Sequence, residues 1–150
     1  RECLNVFGAL NGNNCDSPNV QELVLAWNYQ SDLPRFIDRM SLGMRQKLGI
    51  LLALAGQPKI VLMDESLNGL DPTSALILKR FLQAQVKRKA FSVFMATHAL
   101  DVVEHYADAA LVCDQGRIAL SLDRSDLDQA DGRLDQLIAR RLAQPSNSLD

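Results

Sequence analysis

The chain has 150 residues, of which 47% are hydrophobic and 23% charged, and this fits one ordinary globular domain or a large piece of one. Its formal net charge of -2 provides no basic surface for nucleic acid, so we expect no nucleic-acid partner. No apolar run reaches the ~18 residues that a bilayer-spanning helix needs, so any attachment to a membrane would depend on a partner protein.

The beginning of the chain and its cysteines bear on its origin. The sequence starts at Arg1 rather than Met, and Arg1-Glu2-Cys3-Leu4-Asn5 already has the pattern of a helix start, at the head of residues 3–10 with apolar residues at helical spacing. This suggests a truncated sequence, with removal of residues by processing as the alternative. The three cysteines, Cys3, Cys15 and Cys113, are odd in number and lack the spacing of metal ligands. We therefore expect free thiols in a reducing cytosol.

The first third of the chain is predicted to be helical. Residues 20–28 repeat apolar positions at helical spacing. Ser41 is a suitable N-cap for a further helix that we expect to run to about Ala55, with Gly56-Gln57-Pro58 ending it.

The rest of the chain alternates strands and helices. Ile60–Met63 is uniformly apolar, which favours a strand covered on both faces in a parallel sheet. Asp71-Pro72 provides an N-cap followed by proline, so a helix is predicted from there to about Lys89. The later predicted elements are a buried strand over residues 91–96, a helix over 99–107, strands over 109–113 and 117–121, and a charged helical tail over 123–144.

This order of elements predicts an α/β fold with a mostly parallel sheet and helices packed on it. In such sheets, ligands bind beyond the carboxyl ends of the strands. Asp64, Glu65 and His98 all fall at predicted strand ends, so we expect the chemistry of the protein there.

Asp64 and Glu65 are adjacent carboxylates at the end of an apolar strand. Neighbouring side chains at a strand end point in different directions, so the two can do different work. One can hold Mg²⁺, usually through water, because Mg²⁺ favours carboxylates together with phosphate oxygens. The other can orient and polarise an attacking water. The alternative is a helix-capping acid followed by a solvated glutamate, and the pair alone does not decide between the two.

Three further segments are compatible with phosphate binding. The N–H groups that open a helix at Ser41-Leu42-Gly43 favour an anion, and Ser41 adds a hydroxyl donor. His98 can donate a hydrogen bond to a γ-phosphate. Asn68–Pro72 is a polar turn that leads into a helix. Each also has a plain alternative: a serine N-cap, a polar residue at the mouth of a loop, and an ordinary turn.

The order and spacing of these segments, over about residues 1–121, resemble the second half of an ATP-binding cassette (ABC) ATPase. Residues 40–44, Met-Ser-Leu-Gly-Met, stand where that family has its signature motif, and residues 60–65 match the Walker B strand with its catalytic glutamate. Gly69-Leu70-Asp71 matches the D-loop, Thr97-His98 the H-loop, and residues 114–118 the turn after the last core strand.

The resemblance implies a partial P-loop NTPase (RecA-like) core with a mostly parallel sheet, together with the helical signature subdomain. It divides the chain into the signature subdomain at residues 1–57, the second half of the ATPase core at 58–121 and a C-terminal helical tail at 122–150. We interpret the tail as a solvated helix.

The implied function is that of an ATP-hydrolysing subunit of an ABC transporter, with ATP and Mg²⁺ as cofactors. Two such ATPase domains pair head to tail around two nucleotides, as a homodimer or a heterodimer, and drive a transmembrane permease. The implied location is cytoplasmic, peripheral on the inner face of the cell membrane through the permease. Neither the transported substrate nor the identity of the permease follows from this sequence.

The same resemblance assigns roles to six residues. The implied roles are catalytic for Glu65 and His98, nucleotide-binding for Ser41, Gly43 and Asp71, and Mg²⁺-binding through water for Asp64. Ser41 and Gly43 would contact the γ-phosphate held by the opposite subunit, and Asp71 would couple the two sites across the dimer.

Some residues depart from the family pattern. Leu42 and Met44 replace a glycine and a glutamine of the commonest signature, and the variant Ser-Leu-Gly-Met-Arg-Gln is similar to that of bacterial exporters of the drug, peptide and sodium-efflux type. Ser66 stands where the family usually has proline, so we expect the loop after Glu65 to be less restrained.

The phosphate-binding P-loop pattern, Gly-x-x-x-x-Gly-Lys-[Ser/Thr], does not occur in this sequence. We therefore expect a C-terminal fragment of an ATPase that is inactive by itself. Two alternatives are a non-catalytic interaction or regulatory module without a P-loop, and a soluble ABC-type ATPase of DNA repair or translation. The presence of Asp64, Glu65 and His98 argues against the first of these.

Overall fold

The computed structural model describes residue 6 and residues 17–143. The chain forms two compact units, of which the first ends at Ala96 and the second begins at Thr97. The predicted helix over residues 3–10 lies, except for residue 6, outside the described residues. The division of the chain at residues 57 and 121 stays a prediction.

From residue 17 onward, the first unit consists of two helices followed by a strand–helix–strand segment. Its elements are α1 (Pro18–Ala26), a short 3₁₀ turn (Ile37–Arg39), α2 (Leu42–Ala55), β1 (Ile60–Asp64), α3 (Pro72–Lys87) and β2 (Ser92–Ala96). β1 and β2 pair in parallel, with Ile60 opposite Ser92 and Asp64 opposite Ala96. This small parallel sheet with its helices confirms the α/β class predicted from the sequence.

Side-chain caps determine where α2 and α3 begin, as the sequence predicts. Ser41 Oγ accepts a hydrogen bond from the Met44 N–H at 3.2 Å, so α2 starts directly after the serine. At the start of α3, Asp71 Oδ1 accepts from the Ser74 N–H at 2.9 Å, and proline follows at the first helical position. The predicted nucleotide-binding residues therefore lie at or next to helix starts.

The core of the first unit lies on one side of the β1–β2 sheet. Val61 and Met63 are buried with apolar side chains of the helices, whereas Ile60, Leu62 and Phe94 are 64%, 76% and 60% exposed. The expectation of strands buried on both faces is therefore wrong within the described residues. Apolar side chains alternate between the two faces of a strand, and the described helices of this unit cover one face.

The second unit contains a helix, a β-hairpin and two further helices. Its elements are α4 (Leu100–Tyr106), β3 (Ala109–Asp114), β4 (Arg117–Asp123), α5 (Arg124–Ala130) and α6 (Leu134–Ala143). β3 and β4 pair antiparallel, so parallel pairing within the described residues is confined to β1 and β2. Gln115 and Gly116 between them have positive φ of 46° and 76°, which is the backbone that a tight hairpin turn needs.

The tail after residue 122 belongs to the core of the second unit, contrary to the expectation of a solvated helix. Leu122, Leu127 and Leu134 are each at most 2% exposed and form one apolar cluster with their neighbours. The predicted single helix is divided into α5 and α6, because Asp131 and Gly132 have positive φ of 47° and 77°. A helix cannot continue through residues in that conformation.

Two further expectations concern membranes and thiols. Within residues 17–143, no helix has both the length and the hydropathy that crossing a bilayer requires. Cys113 is exposed and its thiol is free, whereas Cys3 and Cys15 lie outside the described residues.

Candidate functional site

The start of α2 carries Ser41 and Gly43, the two residues expected to meet a phosphate. Tyr29, which is 1% exposed, donates its hydroxyl to the Met44 carbonyl at 2.8 Å. Burial, and then the charge of Asp32, raises the pKa of Tyr29 above its usual value, so the phenol remains a donor. The Tyr29 bond ties the first turn of α2, whose initial N–H groups have no partner within the helix, to the buried core.

Asp64 and Glu65 follow one another at the carboxyl end of β1. Asp64 is the last residue of the strand and is exposed. Glu65 has a positive φ of 45°, and its N–H donates to the carbonyl of Ala96, at the end of β2, at 3.0 Å. A positive φ in a residue with a side chain costs about 1–3 kcal/mol and is concentrated at functional sites. The chain therefore turns sharply between the two carboxylates, where the parallel strands end.

Hydrogen bonds restrain the loop of residues 65–71, which follows β1. The Asn68 side-chain amide donates to Glu65 Oε2 at 3.2 Å, and the Asn68 N–H donates to the Glu65 carbonyl at 2.9 Å. The Ser66 hydroxyl donates to the Asp64 carbonyl at 3.3 Å. These hydrogen bonds restrain the loop without proline, and the expectation that it is less restrained than a loop with proline at position 66 stays a prediction.

The start of α2 and the 65–71 loop approach each other at two glycines. A Cβ atom added to Gly43 would lie 2.9 Å from the Gly69 carbonyl oxygen, closer than side chains tolerate. Gly69 itself has a positive φ of 83°, and the Leu42 side chain covers it. Position 43 therefore requires glycine for packing against the loop, and not only for the approach of a ligand.

Gln46 and Lys47, one turn further along α2, extend this contact. The Gln46 side-chain amide donates to the Ser66 carbonyl at 3.0 Å, and Lys47 Nζ lies 3.6 Å from Asp71 Oδ2. Gln46 ends the signature variant that the sequence shows, but no contact was predicted for it or for Lys47. The signal that could have found them is spacing, since they follow Gly43 by three and four positions and therefore share one helix face with it.

Asp71 both caps α3 and stays ionised over a wide pH range. The Ser74 hydroxyl donates to Asp71 Oδ2 at 2.6 Å. This hydrogen bond, then the one from the Ser74 N–H, and then the charge of Lys47 lower the pKa of Asp71 to about 2. The carboxylate is therefore negative at neutral pH, as its ion pair with Lys47 requires.

His98 lies in the second unit, two residues after β2, and is exposed. The Thr97 hydroxyl accepts from the Ala99 N–H at 3.1 Å, which shapes the turn into α4. The other five predicted site residues lie in the first unit, on the start of α2, the end of β1 and the 65–71 loop. The start of α2 contacts the 65–71 loop, which directly follows the end of β1.

A magnesium ion is compatible with the residues at the end of β1. Among the described residues, no group of three or more His, Cys, Asp and Glu side chains could enclose a metal ion. Asp64 offers one exposed carboxylate. That suits Mg²⁺ bound together with a nucleotide, because Mg²⁺ keeps several waters and takes further oxygen ligands from phosphates.

Curated relatives of the chain are ATP-binding proteins, although no family model matches the sequence. The ABC transporter ATP-binding protein NatA of Bacillus subtilis is 32% identical over 120 residues, which are 79% of this chain and 48% of the relative. The bacitracin transport ATP-binding protein BcrA of Bacillus licheniformis is 28% identical over 99 residues, 66% of this chain and 32% of the relative. The methionine import ATP-binding protein MetN of Streptomyces coelicolor is 36% identical over 83 residues, 55% of this chain and 24% of the relative. The chain thus spans less than half the length of these relatives.

Solved structures show the same fold. An ATP-binding subunit of an ABC transporter matches 92% of this chain and 61% of its own, with a TM-score of 0.73 and 24% identity. A dimeric ATP-binding cassette in a post-hydrolysis state, bound to ADP and Pi, matches 71% of this chain and 46% of its own, with a TM-score of 0.64 and 19% identity. The relatives and structural neighbours of this chain are therefore ABC transporter ATP-binding proteins, and its described residues have the α/β fold of part of their ATPase core.

Proposed function

We propose that this chain is the C-terminal part of an ATP-hydrolysing subunit of an ABC transporter, which pairs with a second ATPase domain and drives a permease. The observation that carries the proposal is the contact between the start of α2 and the 65–71 loop. It sets a helix end suited to phosphate against the loop that bears Glu65 and Asp71.

In the proposed reaction, the two carboxylates at the end of β1 divide the work. Bound Mg²⁺ would neutralise charge on the phosphate oxygens, and Asp64 would hold it through water. Glu65 would orient and polarise the attacking water. The Glu65 N–H donates to the Ala96 carbonyl, and the Asn68 amide donates to the Glu65 carboxylate. These two hydrogen bonds position the carboxylate before the water is activated.

The start of α2 is proposed to serve the nucleotide of the opposite subunit. Ser41 and Gly43 would contact its γ-phosphate through a hydroxyl and backbone N–H groups, and the positive end of the helix dipole favours that charge. The first turn of α2 contains no acidic residue. Asp71 would couple the two sites across the dimer, and His98 would donate a hydrogen bond to a γ-phosphate.

We also propose that the transporter is an exporter and that the chain works at the cytoplasmic face of the membrane, bound to its permease. The support is the signature variant at residues 41–46, which resembles that of bacterial exporters, and one relative is named for bacitracin transport without a direction. Another relative is named for methionine import, so transport direction has to be measured. Vesicles that contain the purified transporter would show whether substrate moves toward the side that holds ATP or away from it.

The central test is Glu65→Gln in the full-length native protein. The substitution keeps the size of the side chain and removes the charge that polarises water. We expect ATP binding to persist and turnover to fall by at least about a hundredfold. Equilibrium binding of labelled ATP and steady-state phosphate release measure the two quantities separately.

Glu22→Gln is the matched control. Glu22 is an exposed glutamate on α1 whose carboxylate lies 3.7 Å from Arg88 and accepts from the Gln85 side-chain amide at 3.1 Å, and glutamine keeps an oxygen that can accept this hydrogen bond. Its turnover should stay within about twofold of the wild-type value. Near-normal turnover in Glu65→Gln would remove Glu65 from the proposed role.

A further inference from the structure

Gln46 is a polar side chain of α2 that the proposed chemistry leaves without a role. It is partly buried, and its amide donates across to the carbonyl of Ser66 at 3.0 Å. Ser66 directly follows Glu65 in the chain. The hydrogen bond therefore ends on the carbonyl of the residue that follows the one proposed to activate water.

We propose that Gln46 is a positioning residue, which holds the backbone after Glu65 in the conformation from which Glu65 acts and thereby makes turnover depend on α2. This inference rests on the proposed function. It adds a link within one subunit, from the helix whose start would meet a phosphate to the carboxylate that would activate water.

The backbone conformation at Glu65 requires restraints from its surroundings. Its positive φ of 45° is unfavourable for a glutamate, and conformations of this kind persist only where the surroundings determine them strongly. The hydrogen bond to Ala96 fixes the chain before the turn, and the Asn68 N–H bond closes the turn from within. The Gln46 hydrogen bond restrains the loop from α2, outside the loop itself, so it can transmit a movement of α2 to the loop.

Two neighbouring contacts make α2 and the 65–71 loop move together. Gly43 touches the Gly69 carbonyl, and Lys47 pairs with Asp71. The Asp71 side chain of this ion pair is more than half exposed, and exposed ion pairs contribute little to stability by themselves. The Gln46 bond is the one of the three that ends beside the catalytic glutamate, so its removal should act on turnover most directly.

The first experiment uses steady-state kinetics of the full-length native protein. Gln46→Leu removes the donor and keeps a side chain of similar size, so we expect kcat to fall about three- to tenfold with KM for ATP unchanged. Gln46→Lys restores a donor of similar reach and should recover at least about half of the wild-type kcat. The matched control is Gln83→Leu, a partly buried glutamine of α3, whose kinetics should stay unchanged.

The second experiment follows the loop itself by amide hydrogen exchange in the 150-residue chain. The Asn68 and Leu70 N–H groups donate within the loop, to the carbonyls of Glu65 and Leu67. In Gln46→Leu they should exchange at least about threefold faster than in the wild type, because the loop opens more often. Gln46→Lys and Gln83→Leu should leave their exchange unchanged.

The outcomes separate this inference from the proposed function. Unchanged kcat or unchanged loop exchange in Gln46→Leu overturns the inference, and so does an equal loss of kcat in Gln83→Leu. A wild-type protein that does not hydrolyse ATP overturns the proposed function. In that case, faster loop exchange in Gln46→Leu would still show that Gln46 restrains the loop.

Discussion

Two glycines of α2 show how single residues set the distance between a helix and the loop beside it. Gly43 faces the Gly69 carbonyl so closely that a Cβ atom would lie 2.9 Å from its oxygen, whereas a Cβ at Gly49 would meet nothing within 4 Å. Both positions lie in the same helix and lack a side chain. Only the first has a spatial reason to be glycine, and the second loses the helix preference that alanine would provide.

The two glycines should therefore respond in opposite directions to alanine. Gly43→Ala forces the loop to shift and should lower the free energy of unfolding of the first unit by about 1–3 kcal/mol. Gly49→Ala should raise it by about 0.5–1 kcal/mol. Urea unfolding of the 150-residue chain, followed by fluorescence of its one tryptophan, the buried Trp27, reports on this unit. Changes of the same sign and size at both positions would contradict the contact.

At the scale of elements, the residues at which helices start could be predicted from the sequence, whereas the burial of each strand face could not. Ser41 and Asp71 cap their helices through hydrogen bonds that span three residues, so the information is local. Whether an apolar strand is covered on one face or two depends on layers that come from elsewhere in the chain. For the same reason the sequence did not show that Leu127 and Leu134 of the tail enter a core.

The two faces of β1 give the element-scale prediction. Val61 is 5% exposed and Leu62 is 76% exposed, although they are neighbours in one apolar run. In the 150-residue chain, Val61→Ala should lower the free energy of unfolding by about 2 kcal/mol, while Leu62→Ala should change it by less than about 0.5 kcal/mol. Thermal or urea unfolding of the two variants decides the matter. A larger loss at position 62 would mean that the outer face is covered.

At the scale of the whole molecule, the sequence motifs proposed six site residues but not the contacts between them. Five of the six lie in the first unit, on the start of α2, the end of β1 and the loop that follows it. Gln46 was missed because its partner Ser66 is 20 positions away, and no local pattern encodes such a hydrogen bond. The roles of the six residues remain predictions until variants are measured.

The whole-molecule prediction concerns ATP binding by the 150-residue chain alone. The backbone and lysine of a P-loop supply most of the contacts to phosphates in this class of ATPase, and the pattern is absent from this sequence. We therefore expect calorimetry to show weak binding of MgATP or none. The full-length native protein, titrated in the same way, is the reference. Micromolar binding by the 150-residue chain would contradict the proposal that another segment supplies the phosphate cradle.

The left-handed backbone of Glu65 has a consequence for interpreting inherited or laboratory variation at this position. Glutamine keeps the size and the unbranched Cβ of glutamate while it removes the charge and one acceptor oxygen, so it reports mainly on chemistry. Valine, isoleucine or threonine would also oppose a φ of 45°, because branching at Cβ makes that region of conformational space unfavourable. Loss of function in such alleles would combine a missing carboxylate with a displaced turn, and by itself would say little about which of the two mattered.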